Sequence, residues 1–133
     1  MELRLDPILR EWIIVSGERE RRPVLPKGSC PFCPGGEETP GTGWKVLSLP
    51  NRFPALLVDP PSPDVKSDRF YRCKRAKGVC DVILYTPQHD TSLAKLDVEH
   101  IRLVIELWTQ RFEELGSRDY VKYVFIFENK GRV

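Results

Sequence analysis

Long apolar runs are absent from the sequence: no stretch approaches the ~18 residues that a membrane-spanning helix requires. The first residues, MELRLDPILREW, also lack the basic-then-apolar profile of a secretory signal peptide. We therefore expect a soluble, cytoplasmic protein that makes no contact with a membrane. The 133 residues fit one domain, which is long enough to bury a core without disulfides or other staples.

A strong net charge is absent as well. The formal charge of +2 is too small to indicate nucleic acid by itself, so a nucleic-acid partner is not expected. Basic residues nevertheless cluster in two patches, which either bind anionic partners or form solvated surface. The patches are Arg19, Arg21 and Arg22, and Arg69, Arg72, Lys74, Arg75 and Lys77. The excess of 13 Arg over 8 Lys and the 12 prolines are compatible with a thermophile.

Alternation of apolar and polar residues predicts several short strands. The strand candidates are residues 11–16, 44–49, 69–74, 79–86 and 120–127. The third and fourth are expected to form a hairpin, because Gly78 lies between them where a turn would need it. Within the fourth candidate, the alternation places Asp81, Ile83 and Tyr85 on one face.

One long amphipathic helix is predicted over residues 98–115. Asp97 is a good N-cap, and Gly116 is expected to end the helix. His100 is expected to be exposed to solvent, because it lies off the apolar stripe. That stripe consists of Val98, Ile101, Ile105, Trp108, Phe112 and Leu115. Antiparallel strands with one long helix make an α+β domain.

Two cysteines lie close together in the Gly- and Pro-rich segment KGSCPFCPGGEETP, at Cys30 and Cys33. Their spacing lets both sulfurs reach one tetrahedral metal ion at ~2.3 Å, which indicates half of a zinc site. A redox pair and two unrelated cysteines are the alternatives. The redox pair is disfavoured, because such a motif opens a helix and the following Pro-Gly-Gly cannot start one.

The remaining ligands of such a site must come from elsewhere in the chain. Cys73 and Cys80 are candidates, but on opposite arms of the expected hairpin they could equally be cross-strand neighbours, buried residues or a disulfide. His89 follows a predicted strand in a loop, where a side chain can be aimed without distorting the sheet. From the residues alone it is either a ligand or a polar loop residue.

Six ordered segments span essentially the whole chain. They are Arg19 with Arg22-Pro23, Cys30-Pro-Phe-Cys33-Pro-Gly, Asn51-Arg-Phe-Pro54, Gly78-Val-Cys-Asp-Val, Tyr85-Thr-Pro-Gln-His89-Asp and Phe127-Glu-Asn-Lys-Gly131. Together these segments resemble the N-terminal portion of galactose-1-phosphate uridylyltransferase. The resemblance implies a member of the histidine-triad superfamily. It therefore implies an antiparallel half-barrel-like sheet with the long helix, in a single domain of residues 1–133.

The resemblance implies zinc as the metal, with Cys30, Cys33 and His89 corresponding to three of its ligands. It also implies that a UDP-sugar is bound by Arg19, Arg22, Phe32, Asn51, Phe53 and Asn129. The two arginines correspond to arginines near the nucleotide phosphates, which suits bidentate recognition by guanidinium groups. The segment with Asn51 and Phe53 corresponds to the one that holds uridine, Phe32 to an apolar wall beside the base, and Asn129 to an asparagine near the phosphates. Core packing is the alternative for both phenylalanines, and a turn position for Asn129.

In the family, a histidine attacks the α-phosphorus of UDP-glucose, and galactose 1-phosphate then takes the uridylyl group. That histidine belongs to a His-Pro-His motif, expected shortly after Glu128-Asn-Lys-Gly131, whose first histidine is the fourth zinc ligand. The 133 residues contain no such motif. We therefore expect the chain to be inactive alone. Three explanations are open: a split gene whose complementing C-terminal polypeptide supplies the rest, an expressed domain fragment, and a decayed sequence that retains a nucleotide-binding module.

A homo-oligomer is also expected, because the edge on which that polypeptide would pack favours self-association while it is exposed. Two alternative functions are open at this point. One is a noncatalytic, zinc-stabilised module that binds a nucleotide or another anion. The other is a fragment of a related nucleotidyltransferase of the dinucleoside polyphosphate phosphorylase type.

Overall fold

The computed structural model describes residues 1–17 and 30–129. The elements are β1 Glu2–Leu5, β2 Trp12–Val15, β3 Leu47–Pro50, β4 Cys73–Arg75, β5 Asp81–Leu84 and α1 Val98–Gly116. Antiparallel pairing gives a three-stranded sheet of order β2-β1-β4 and a two-stranded sheet of β3 and β5. A 3-10 turn at Leu93–Lys95 precedes the helix. The α+β class with antiparallel sheets is confirmed.

The predicted hairpin around Gly78 is wrong, because β4 pairs with β1 and β5 pairs with β3. Leu57 instead bonds to the segment between β4 and β5. Its N–H donates to the Ala76 carbonyl at 3.1 Å, and its carbonyl accepts from the Gly78 N–H at 2.8 Å. A Cβ on Gly78 would lie 2.8 Å from Leu56 Cδ1. Gly78 therefore permits the close approach of Leu56 and does not form a hairpin turn.

The ends of α1 agree closely with the sequence prediction. Asp97 caps the helix, because its carboxylate accepts from the His100 N–H at 2.8 Å. The predicted apolar stripe is wrong in part: Val104, outside the stripe, is fully buried, whereas Ile105 and Phe112 are 51% and 49% exposed. Val104 shares its side of the helix with residue 111, two turns later, and this is the side that faces β5.

Three contacts attach α1 to β5 and to the residue that follows it. The Arg111 guanidinium donates to Asp81 Oδ2 from Nη2 at 2.5 Å and from Nε at 3.2 Å. The Trp108 ring packs edge-to-face against Tyr85, with centroids 5.9 Å apart. His100 Nε2 donates to the Tyr85 carbonyl oxygen at 2.7 Å. His100 is thus half-buried, and the expectation that it is exposed to solvent is wrong.

The predicted strand at residues 120–127 is also wrong, since this segment makes no backbone ladder with a described strand. Tyr123, Phe125 and Phe127 stack along one side of it, with centroid separations of 6.3 and 5.3 Å, and are 66–78% exposed. We call these three residues the aromatic surface. Strand propensity depends on neighbours to pack against, and nothing in the described part of the chain covers this surface.

The buried core of the described residues is small. Its apolar members are Leu5, Ala76 and Val104, whereas 16 large apolar side chains are exposed. Exposed apolar area on this scale marks surfaces that meet other polypeptide or ligand. Among residues 1–17 and 30–129, no helix combines the length and the hydrophobicity needed to cross a bilayer.

Removing the Arg111 guanidinium should destabilise the protein, because Asp81 would lose its partner while only 12% of its side chain is exposed. Burial lowers the pKa of Arg111, but hydrogen bonds and charge from Asp81 and Glu114 outweigh burial and raise the pKa, so the guanidinium stays charged. We expect Arg111→Met to lower the free energy of unfolding by about 1–3 kcal/mol. Urea denaturation followed by circular dichroism measures this change.

Arg102→Met is the matched control on the same helix. Arg102 pairs with Glu99, but both side chains are well exposed, at 64% and 78%. Exposed pairs of this kind contribute only a few tenths of a kcal/mol. Equal destabilisation by the two substitutions would contradict the role given to Arg111.

Candidate metal centre

Both cysteines of the CxxC motif lie in a compact loop, residues 30–41, which its own backbone hydrogen bonds close. The Cys33 N–H donates to the Cys30 carbonyl at 3.3 Å, and the Gly36 N–H donates to the Cys33 carbonyl at 2.8 Å. A Cβ on Gly36 would lie 2.4 Å from the Pro31 carbonyl oxygen, so the chain can fold back here only with glycine. Residues 34–41 form no helix, which a redox pair would need.

His89 completes a group of three metal-binding side chains. Its Nδ1 lies 3.3 Å from Cys33 Sγ, and the donor atoms of Cys30, Cys33 and His89 all lie within 4.8 Å of one another. On a tetrahedral zinc ion, a sulfur at ~2.3 Å and a nitrogen at ~2.0–2.1 Å are separated by about 3.6 Å. The three side chains are therefore positioned to bind one ion of a metal that accepts thiolate and imidazole.

The surroundings of the Cys33 thiol favour its protonated state in the absence of a metal. Partial burial raises the pKa of the Cys33 thiol, and the hydrogen bond and charge of Cys30 and the charge of Asp90 raise it further. A metal must therefore displace a proton from this sulfur. Asp90 Oδ1 lies 4.0 Å from His89 Nε2. A carboxylate there favours a proton on Nε2, which leaves Nδ1 free to bind.

Cys73 and Cys80 do not join this group. All four cysteines are free thiols. The Cys73 thiol donates to the Val65 carbonyl at 3.2 Å, and the Cys80 carbonyl accepts from the Asn51 N–H at 2.9 Å. Cys73 belongs to β4 and Cys80 directly precedes β5, in a different sheet. The cross-strand pairing considered for them is therefore wrong.

A cavity of about 340 Å³ opens beside the three donor atoms. Phe32 lines it, so its side chain faces open space as well as neighbouring residues. Tyr85 and Gln88 line it too, and the sequence analysis gave neither residue a role in the site. Their closeness to His89 in the chain was the signal that could have found them. The wall consists of Cys30, Phe32, Cys33, Ile83, Leu84, Tyr85, Thr86, Pro87, Gln88 and His89.

Asn51 and Phe53 lie in the turn after β3, outside the wall of this cavity. The Asn51 side-chain oxygen accepts from the Phe53 N–H at 2.9 Å, which is a local turn. Between them, Arg52 donates from Nη1 to Glu37 Oε1 at 2.6 Å. Because Glu37 belongs to the loop of residues 30–41, this ion pair joins the turn to the loop that carries both cysteines.

The other three candidate residues are less closely tied to the group. Asn129 is exposed and directly follows Glu128. Burial raises the pKa of Tyr85 in the cavity wall, and the charge of Glu128 raises it further. Arg19 and Arg22 lie outside the described residues.

The central basic patch is partly engaged within the fold. Arg75 Nε donates to the Pro60 carbonyl at 2.6 Å. The ammonium groups of Lys74 and Lys77 lie 4.0 and 4.7 Å from the rings of Trp12 and Tyr120. These contacts favour the interpretation of the patch as ordinary surface over that of an anion site.

Comparison with known proteins places this chain in a family. A family profile described as the N-terminal domain of galactose-1-phosphate uridyl transferase matches residues 1–133. A galactose-1-phosphate uridylyltransferase from Thermotoga maritima is 41% identical over 133 residues, which cover 99% of this chain and 42% of that protein. A solved structure of a uridylyltransferase mutant superposes with a TM-score of 0.75 at 38% identity, over 90% of this chain and 36% of that one.

A more distant likeness is to a crystal structure of an ADP-glucose phosphorylase from Arabidopsis thaliana with bound ADP-glucose. Its TM-score is 0.54 at 25% identity, over 92% of this chain and 41% of that one. The chain thus spans less than half the length of each relative named here. Since the family profile matches all 133 residues, the chain belongs to the galactose-1-phosphate uridyl transferase family and corresponds to its N-terminal domain.

Proposed function

We propose that this chain is the N-terminal part of a UDP-glucose–hexose-1-phosphate uridylyltransferase of galactose metabolism. It would carry part of a zinc site and part of a UDP-sugar site. One observation carries the proposal: a CxxC loop and a histidine 56 residues later converge beside a cavity with an aromatic wall. We also infer that the two sheets belong to a half-barrel of the histidine-triad type, within one domain of residues 1–133.

Zinc would be held by Cys30, Cys33 and His89, since two thiolates and one imidazole are a donor set that zinc prefers. A bound zinc ion would supply a fixed tetrahedral junction between the loop of residues 30–41 and the loop after β5. Residues of both loops line the cavity. The fourth ligand would come from outside these three residues, in the family from the first histidine of His-Pro-His.

The proposed contacts to a UDP-sugar form two groups. Phe32 in the cavity wall, with Asn51 and Phe53 in the turn joined to the cysteine loop, would hold the uridine. Arg19, Arg22 and Asn129 would bind the phosphates. Planar guanidinium groups suit phosphate oxygens because they donate two parallel hydrogen bonds.

The nucleophile would come from elsewhere, because both histidines of the chain are engaged. His89 Nδ1 faces the Cys33 sulfur, and His100 Nε2 donates to the Tyr85 carbonyl. In the proposed reaction a histidine nitrogen attacks the α-phosphorus and the sugar phosphate leaves. An oxygen of galactose 1-phosphate then displaces that nitrogen. Residues 1–133 by themselves are therefore proposed to be inactive.

The aromatic surface is the proposed docking site for a complementing polypeptide. Its three rings are 66–78% exposed, and more than half the length of the named relatives lies outside the matched region. Burying such rings contributes about 1.5–3 kcal/mol each. Without that polypeptide, the same apolar area favours a homo-oligomer.

A second candidate is transfer or phosphorolysis on an adenine nucleotide sugar. The fold shared with the Arabidopsis ADP-glucose phosphorylase favours it. A noncatalytic anion-binding module has less support, because three residues of the central basic patch are engaged within the fold.

Elemental analysis should find about one zinc per purified chain. Cys33→Ser removes one thiolate donor, so we expect it to lower zinc affinity by more than about 100-fold. Cys73→Ser is the matched control, because the Cys73 thiol donates to the Val65 carbonyl away from the site. An equal loss in both variants, or no metal in the wild-type chain, would contradict the proposed zinc site.

Zinc affinity should rise with pH between about 7 and 8.5. The pKa of Cys33 is raised, so its sulfur holds a proton below that pKa and zinc has to displace it. Raising the pH removes the competing proton, and each such thiol makes the affinity rise by about tenfold per pH unit. Calorimetric titrations at several pH values test this. A slope that is the same in the wild type and in Cys33→Ser would refute the assignment.

The chain incubated with radiolabelled UDP-glucose should acquire no acid-labile label, because it offers no nucleophilic histidine. Adding a polypeptide that corresponds to the rest of the Thermotoga maritima relative should produce labelling and restore exchange with galactose 1-phosphate. Stable labelling of the chain alone would contradict the proposal that it is inactive. Labelling of the complemented protein by ADP-glucose in preference to UDP-glucose would favour the second candidate function.

Two variants connect this assay to the aromatic surface. Phe125→Asp places a charge within it and should weaken complementation by at least about tenfold. Phe70→Asp is the matched control, because Phe70 is 64% exposed, close to the 69% of Phe125, and lies outside that surface. Equal effects of the two substitutions would count against docking there.

A further inference from the structure

Open space lies on both sides of the loop that carries His89. Thr86, Pro87 and Gln88 line the cavity of about 340 Å³ beside the metal group. The same three residues also line a second cavity of about 610 Å³, whose far wall contains His100 and the start of α1. Since side chains are normally fixed by close packing, packing alone does little to define the path of this loop.

The loop is anchored instead at Tyr85, where it leaves β5. The Tyr85 carbonyl accepts from His100 Nε2 at 2.7 Å, and its ring packs edge-to-face on Trp108. A carbonyl oxygen can only accept, so Nε2 of His100 must carry the proton. His100 is itself held in place, because its backbone N–H donates to the Asp97 carboxylate at 2.8 Å.

We propose that His100 is a positioning residue for the third metal ligand: by holding the Tyr85 carbonyl it sets where His89 meets the two thiols. This inference rests on the proposed metal site. Only three residues separate Tyr85 from His89, and Pro87 among them has a fixed φ. The Gln88 N–H donates to Thr86 Oγ1 at 3.2 Å. A shift at Tyr85 is therefore passed on to His89 and is not absorbed by the loop.

Cobalt(II) titration of the metal-free chain tests the proposal, because charge-transfer bands report the thiolate ligands, whereas ligand-field bands report the geometry of the whole donor set. His100→Phe keeps a flat ring but has no donor, so it should lower cobalt affinity by about 10-fold. It should also shift the ligand-field bands while the thiolate bands persist. His100→Gln can donate an N–H to the carbonyl and should restore most of the affinity.

A double-mutant cycle with His89→Ala separates positioning from a general effect on folding. If His100 acts through His89, His100→Phe should cause no further loss of affinity in the His89→Ala background. Equal losses in the two backgrounds, or wild-type affinity and spectra for His100→Phe, would overturn the positioning role. Failure of the wild-type chain to bind cobalt would instead overturn the proposed metal site.

Discussion

The attachment of α1 to β5 is the interaction on which the other parts of this structure depend. Asp81 in the strand binds the Arg111 guanidinium, and Tyr85, directly after the strand, contacts both the Trp108 ring and the His100 imidazole of the helix. The same strand pairs with β3 on its other side and then leads directly to His89. The helix, the second sheet and the candidate metal ligand therefore share a single short strand, and a displacement of that strand moves all three.

This dependence on specific polar contacts follows from the small core. Ordering the backbone costs roughly 1–2 kcal/mol per residue, and the described residues bury few apolar side chains in return. Under these conditions a half-buried ion pair and a capped helix each carry a larger share of the stability than in a densely packed domain. The rings of the aromatic surface are exposed, so covering them would bury additional apolar area.

The sequence predicts those features of the structure that depend on residues close together in the chain. Asp97 at the N-cap and the end of the helix follow from local hydrogen bonding. The CxxC loop follows from spacing and glycine content, and His89 was singled out because it follows a strand. Its meeting with the two thiols, 56 residues from Cys33, became an expectation only through the resemblance to a family.

Strand pairing and helix rotation were not predictable in this way, because they depend on contacts between distant segments. Gly78 has the signature of a turn, but its lack of a Cβ serves the close approach of Leu56. The apolar stripe of the helix was assigned from hydrophobicity alone, which gives no weight to Arg111. Its ion pair with Asp81 turns Val104 inward and leaves Ile105 half exposed. Likewise, the alternation at residues 120–127 describes a strand that has no described neighbour to pair with.

The candidate metal group is built from two parts that differ in how firmly they are held. The thiols lie in a loop that is closed by its own backbone hydrogen bonds and that tolerates no Cβ at Gly36. The imidazole lies on a loop between two cavities, and its side chain is 59% exposed. The cysteine loop therefore defines where an ion would sit, and the helix controls whether the histidine reaches it. A site of this construction links the order of α1 to the order of the cavity wall, because both meet at the Tyr85 carbonyl.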